Sequence, residues 1–257
     1  MTPARVLKSL RARLFPVPAY PHWNRVLMRD GRRWRQAIDE SKEGPRILIA
    51  TSFGGHLPSV HLETTLAVAL TLRGANVHLL LCDSVLPACQ LAEFAMFDNP
   101  RSFIEEGPQA RLCPQCFAPA APVFNSLGLT VHTYRQWLGA DDGAEVATLV
   151  RSTPQDRIKH LRIDGLAVGE HAVAGALRFF ARGDISQEEH AESVLARYLE
   201  AALLTIRGVR NLLRAEDIGV ACFNHGIYVP QGLIAETARQ EGARVVTWNP
   251  AYRKGCF

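Results

Sequence analysis

The sequence lacks any run of about 18 charge-free apolar residues, the length that would cross a membrane as a helix. Its start carries no apolar stretch followed by small residues of the kind that marks a secretory leader. Cysteine is sparse, six in 257 residues, and too scattered for a small disulfide-stapled secreted domain. No Gly-x-Gly-x-x-Gly follows the first apolar run, so a dinucleotide-dependent enzyme is left without its fingerprint. Internal repeats and low-complexity segments are missing too. These absences predict a protein of a reducing cytoplasm.

What is present suits a globular chain with a sizeable core: 47% hydrophobic and 21% charged residues. The net charge of +4 is unevenly spread. Residues 1–35 hold nine Lys or Arg (Arg5, Lys8, Arg11, Arg13, Arg25, Arg29, Arg32, Arg33, Arg35) against the single acid Asp30, a local +8, so the remainder carries −4. A mildly acidic body predicts no nucleic-acid partner. In the arm, "ARVLKSLRARLFPVPAY" places Leu7, Leu10 and Leu14 on one helical face, with Val6 and Phe15 beside them. Such a helix, ended by Pro16 and Pro18, either lies on an anionic membrane surface or packs on its own domain. The division expected is a basic arm over 1–43 and a single domain over 44–257, with a cysteine-containing insertion at about 84–128.

The domain punctuates itself as alternating strands and helices. "RILIATSF" (46–53) is apolar almost throughout, as a strand buried on both faces would be. A helix follows from near Pro58 to Arg73, stopped by Gly74, and "NVHLLLCD" (76–83) is the second strand. Residues 84–97 read as a helix, 99–116 as a loop, 117–127 as a helix and 129–134 as a strand. A helix over 169–183 is bounded by Gly183, and Ser186 with Glu189 forms a capping-box pattern for a long helix reaching about Leu213. "IGVACFNHG" (218–226) is a strand, Pro230 opens a helix ended by Gly242, and "ARVVTWN" (243–249) is a last strand. The expected fold is α/β, a Rossmann-like, mainly parallel sheet with helices on both faces.

In such sheets ligands bind outside the carboxyl ends of the strands. Three of the loops there carry polar residues: Gly54-Gly55-His56, Cys82-Asp83-Ser84 and Asn224-His225-Gly226. Glycines admit close backbone approach, helix N-termini favour negative charge, and histidine exchanges protons near neutral pH. The same loops could equally be tight turns, and His225 a helix cap. Glu63 sits on a helix apolar on most faces, where an unpaired carboxylate is costly. It is either exposed or salt-bridged on the first turns, or it orients His56 or a ligand hydroxyl.

Four cysteines form two pairs. Cys82 and Cys89 are seven apart, and Cys113-Pro114-Gln115-Cys116 is a CxxC knuckle. Four thiolates could hold a structural zinc, an iron–sulfur cluster is the alternative, and unligated buried thiols are the plain reading. Cys222 reads as core, and Cys256 as unrelated.

The stretch "GGHLPSVHLETTLAVALTLRGANVHLLLCD" resembles the first strand–helix–strand unit of GT-B-fold glycosyltransferases. "FNHGIYVPQGLIAETARQEGARVVTWNPAYRKGCF" is similar to the later part of the N-terminal domain in bacterial enzymes of capsular or other surface polysaccharide synthesis. The resemblance spans roughly residues 44–257. It implies sugar transfer from a nucleotide-sugar donor to a surface-polysaccharide or lipid-linked acceptor. By position His56 would be the general base, and Gly54 and Gly55 would shape the acceptor or diphosphate end of the cleft. His225, Gly226 and Tyr228 would line the cleft, with Trp248, Asn249, Tyr252 and Arg253 near the domain junction and Arg253 meeting a phosphate. Asp83 and Asn224 are further candidates for substrate contact. The GT-B donor site lies in a second domain, expected as a missing C-terminal donor domain or a separate donor-binding subunit. Against this stands a non-catalytic, metal-stabilised binding module that acts with a partner subunit.

Overall fold

A computed structural model describes residues 20–97 and 99–249. Strands β1 (Arg46–Ser52), β2 (Asn76–Leu81), β3 (Thr130–Thr133), β4 (Val220–Asn224) and β5 (Arg244–Trp248) form one sheet in the order β3-β2-β1-β4-β5. Every neighbouring pair runs parallel. The expected α/β, Rossmann-like architecture is therefore the one adopted. Ten helices accompany the strands among the described residues: α1 (Trp23–Arg29), α2 (Gly31–Ser41), α3 (Leu57–Thr71), α4 (Pro100–Glu106), α5 (Phe117–Asn125), α6 (Asp142–Ser152), α7 (Gln155–Ile158), α8 (Val168–Phe180), α9 (Ala191–Ala215) and α10 (Gln231–Gln240).

The pleat explains the two-sided core. Leu48 and Ala50 of β1 and Leu80 of β2 face one cluster, filled by α8, α9 and α10 through Ala172, Phe179, Tyr198, Leu203 and Leu233. Ile49 of β1 and Val77, Leu79 and Leu81 of β2 face the other, filled by Val60 and Ala67 of α3 and Val123 and Phe124 of α5. Successive side chains alternate between faces, and because both faces are covered, the last five residues of each of β1 and β2 are buried.

Four local expectations are corrected. Residues 84–97 hold only a 3₁₀ turn at Phe94–Met96. The carbonyls there are taken by distant side chains: Tyr198 Oη donates to Cys89 O and Ala92 O at 3.2 and 3.3 Å, and Gln109 Nε2 donates to Ser84 O and Leu86 O. Tertiary bonds thus replace a helical ladder. Residues 99–116 are not all loop, because Asn99 Oδ1 accepts from Ser102 N at 2.9 Å and Pro100 takes the first turn, starting α4. Ser186 caps nothing: its hydroxyl donates to Asp184, and α9 begins at Ala191 after His190. Pro230 precedes α10 rather than opening it, joined to Val229 by a cis peptide bond. The helix read in the arm, Tyr252, Arg253 and Cys256 lie outside the described residues. Among the described residues no helix is long and apolar enough to cross a membrane.

Candidate functional site

The sheet order reverses between β1 and β4. The chain leaving β1 enters α3 on one face, whereas the chain leaving β4 enters α10 on the other. Diverging connections open a crevice at the carboxyl ends of those strands, the usual ligand position in open α/β sheets. Backbone strain gathers at the same mouth. Ser52 (φ 60°), Ser84 (φ 67°) and His225 (φ 65°) are non-glycine residues in the left-handed region, at the ends of β1 and β4 and just beyond β2. Each such conformation costs on the order of 1 kcal/mol, and it persists where surrounding structure imposes it.

His56 is the residue immediately before α3, half-buried. Its Nδ1 lies 2.7 Å from the Ser59 hydroxyl one turn into the helix, and the Phe53 ring stands edge-on at 6.2 Å. With Nδ1 held, Nε2 is the atom left to meet a ligand. Burial lowers the His56 pKa, and the nearby His225 lowers it further. His225 is lowered by burial and by the Arg178 guanidinium. Both imidazoles are thereby held toward the neutral, proton-accepting form. Tyr228 bridges this group, its ring 6.2 Å from His225 and 5.4 Å beneath Arg178.

Glu63 is neither exposed nor salt-bridged: it is fully buried. Its Oε1 accepts from Trp248 Nε1 at 2.8 Å, while Oε2 and the neighbouring Thr51 hydroxyl lack a well-directed partner. Burial pushes its pKa up to about 7, against the opposing pull of Thr51, Trp248 and the Asn224 backbone. The side chain that holds His56 is Ser59, whereas the donor to the Glu63 carboxylate is Trp248. Glu63 therefore sits beneath the crevice and ties α3 to the end of β5.

The remaining expected residues divide. Gly54 has a packing reason for being glycine, since a Cβ there would fall 2.1 Å from Ala120 Cβ and 2.6 Å from Cys116 O. Gly55 is exposed at the rim, and Gly226 takes φ 80° in the turn after β4. Asp83 faces Arg135, which approaches it with Nε at 3.5 Å. Asn224 is buried and donates to Trp248 O at 3.2 Å, and Asn249 is exposed. Sequence reasoning missed Ser59, Arg178 and Thr51. Ser59 had a local signal, three residues beyond His56 at a helix start, whereas Arg178 reaches the site from α8 with none.

The four cysteines do converge. Cys82, Cys89, Cys113 and Cys116 line one small, mostly apolar cavity beside the crevice, together with Ser52, Phe53, Ser84 and Pro230. None forms a disulfide. Burial raises all four thiol pKa values, that of Cys82 to about 12. A second group lies on β2 and β3, the pair of strands at one edge of the sheet. His78 Nδ1 and His132 Nε2 are 2.9 Å apart, and Glu216 completes a set of donor atoms within 4.8 Å of one another that could hold a metal ion. The His78 and His132 rings stack at 5.2 Å. Burial, then His78, pushes His132 down to about 4, and burial lowers His78 as well.

No family model and no curated protein matches the chain. Among solved structures, cyclo(L-leucyl-L-phenylalanyl) synthase aligns with a TM-score of 0.37 at 12% identity, over 84% of this chain and 92% of that one. A likeness at that level carries no argument about activity.

Proposed function

We propose that the chain binds a hydroxyl-bearing acceptor, a sugar or lipid-linked sugar, in the crevice between β1 and β4 and provides His56 as the base for glycosyl transfer from a nucleotide-sugar donor. The supporting observation is the pair His56 and His225 at the ends of the two strands where the sheet order reverses, with Ser59 fixing the first ring. Under this reading Nε2 of His56 takes the acceptor's hydroxyl proton as the oxygen attacks the anomeric carbon. The bond from that carbon to the diphosphate oxygen breaks, and the nucleoside diphosphate leaves. His225 disfavours a proton on His56 before the reaction, which keeps the base free near neutral pH, where general-base catalysis is most effective. Donor binding belongs to a second domain or a separate subunit, as in the two-domain enzymes the sequence resembles.

The test is nucleoside diphosphate release from a panel of nucleotide sugars with sugar and lipid-linked acceptors. The purified chain is used with an extract of its own cells, depleted of the chain, to supply any donor-binding partner. Replacing His56 by Ala should lower release by about 100-fold or more, the usual worth of a positioned base, with the circular dichroism unchanged. Equal release by the His56→Ala protein would refute the assignment and favour a binding module without chemistry of its own.

A further inference from the structure

The cysteine cavity carries an inference independent of the crevice. Cys82, Cys89, Cys113 and Cys116 line one cavity although they come from two segments of chain, and none of them forms a disulfide. The loop after β1 is aimed at the group, Gly55 N donating to Cys116 Sγ at 3.2 Å. A buried thiol needs no such donor, whereas a metal-bound thiolate is stabilised and tuned by one.

The spacing discriminates between metals. A single zinc with Zn–S bonds of about 2.3 Å draws its four sulfurs to roughly 3.8 Å from one another. Among the described residues the only set of three or more donor atoms within 4.8 Å of each other is His78, His132 and Glu216, so no three of these sulfurs approach that closely. A cluster spreads its irons over several corners and holds its four thiolates farther apart. The cavity lining is almost wholly apolar, which suits a centre that water degrades.

The geometry points to an iron–sulfur cluster, not a mononuclear zinc, held by Cys82, Cys89, Cys113 and Cys116 beneath the mouth of the sheet. Each thiol would give up its proton as its sulfur bonds to an iron. Gly55 belongs to the loop after β1 and Cys82 lies just beyond β2, so the same group would fix those loops against the segment 113–116.

The test is anaerobic purification of the whole chain with iron, zinc and acid-labile sulfide counted per chain, plus the visible spectrum before and after dithionite. The expected result is about four irons and four sulfides per chain with a broad visible absorption bleached by reduction. Cys113→Ser and Cys89→Ser should lose most of that iron, whereas Cys222→Ser, altered at a buried cysteine outside the cavity, should keep it. One zinc per chain without iron, or iron and sulfide both at trace level in folded protein, would overturn the proposal. Metal counting on the unaltered chain keeps the test decisive if the cavity variants fail to fold.

Discussion

Replacing Glu63 by Gln removes one ionisable group and little else, because the amide oxygen can still accept from Trp248 Nε1, now 2.8 Å from the carboxylate. In the folded protein burial raises the Glu63 pKa from an ordinary 4.5 to about 7. A raised folded-state value means that the folded chain holds its proton where the unfolded chain has released it. The resulting stability is fully present below about pH 4.5 and is lost as pH rises through about 7. At about 1.4 kcal/mol per pH unit, that interval corresponds to roughly 3 kcal/mol. Chemical unfolding of both proteins from pH 4.5 to 8 measures it, and the difference between them cancels every other titrating group. The Gln protein should gain on the wild type as pH rises, by about 3 kcal/mol in total, with the change centred between 4.5 and 7. The subtraction matters because the His78–His132 pair acts in the opposite sense. Its folded-state pKa values are depressed, so its contribution is present above about 6.5 and lost as pH falls toward 4. A difference that is flat with pH, or that favours the wild type more as pH rises, would refute the buried, proton-holding carboxylate.

Gly54→Ala should cost about 1–3 kcal/mol of unfolding free energy, because its Cβ would meet Ala120 Cβ and the Cys116 carbonyl, neither of which can swing aside. Gly55→Ala, whose nearest neighbours would stand at 3.4–3.6 Å, should change stability by about 0.5 kcal/mol or less in the same thermal or urea experiment. His56 should titrate below 6.5 in a histidine-ring NMR experiment, and His225→Ala should move it upward by removing both a neighbouring charge and some of its cover. Trp34→Phe removes the indole donor to Leu127 O, 2.8 Å away and buried, and should cost about 1–2 kcal/mol by denaturant unfolding.

The unit β1–α3–β2 was legible because a strand buried on both faces needs an unbroken apolar run, and "RILIA" and "VHLLL" supply one each. Gly74 and Pro58 mark the ends of the intervening helix to within three residues. The mouth of the sheet could be located for the same reason, since polar punctuation follows three of the strands. Strand order could not be read, yet it is what brings His56 and His225 together across 169 positions of sequence. The segment 84–116 misled because its backbone bonds go to Tyr198 and Gln109 and its cysteines share a cavity, so tertiary partners override local propensity. Glu63 stayed open because its helix carries exposed positions at His61 and Thr65 on either side of it, and only the tertiary contact with Trp248 of β5 settles that the carboxylate is buried.

The most direct test of the central claim follows the ring resonances of all nine histidines while the chain is titrated with sugar and lipid-linked acceptors and, separately, with nucleotide sugars. The account predicts saturable shifts at His56 and His225 with an acceptor, with His78 and His132, within β2 and β3 rather than at the crevice, undisturbed. Saturable binding that leaves His56 and His225 unmoved, or no binding by any acceptor in a folded chain, would contradict it.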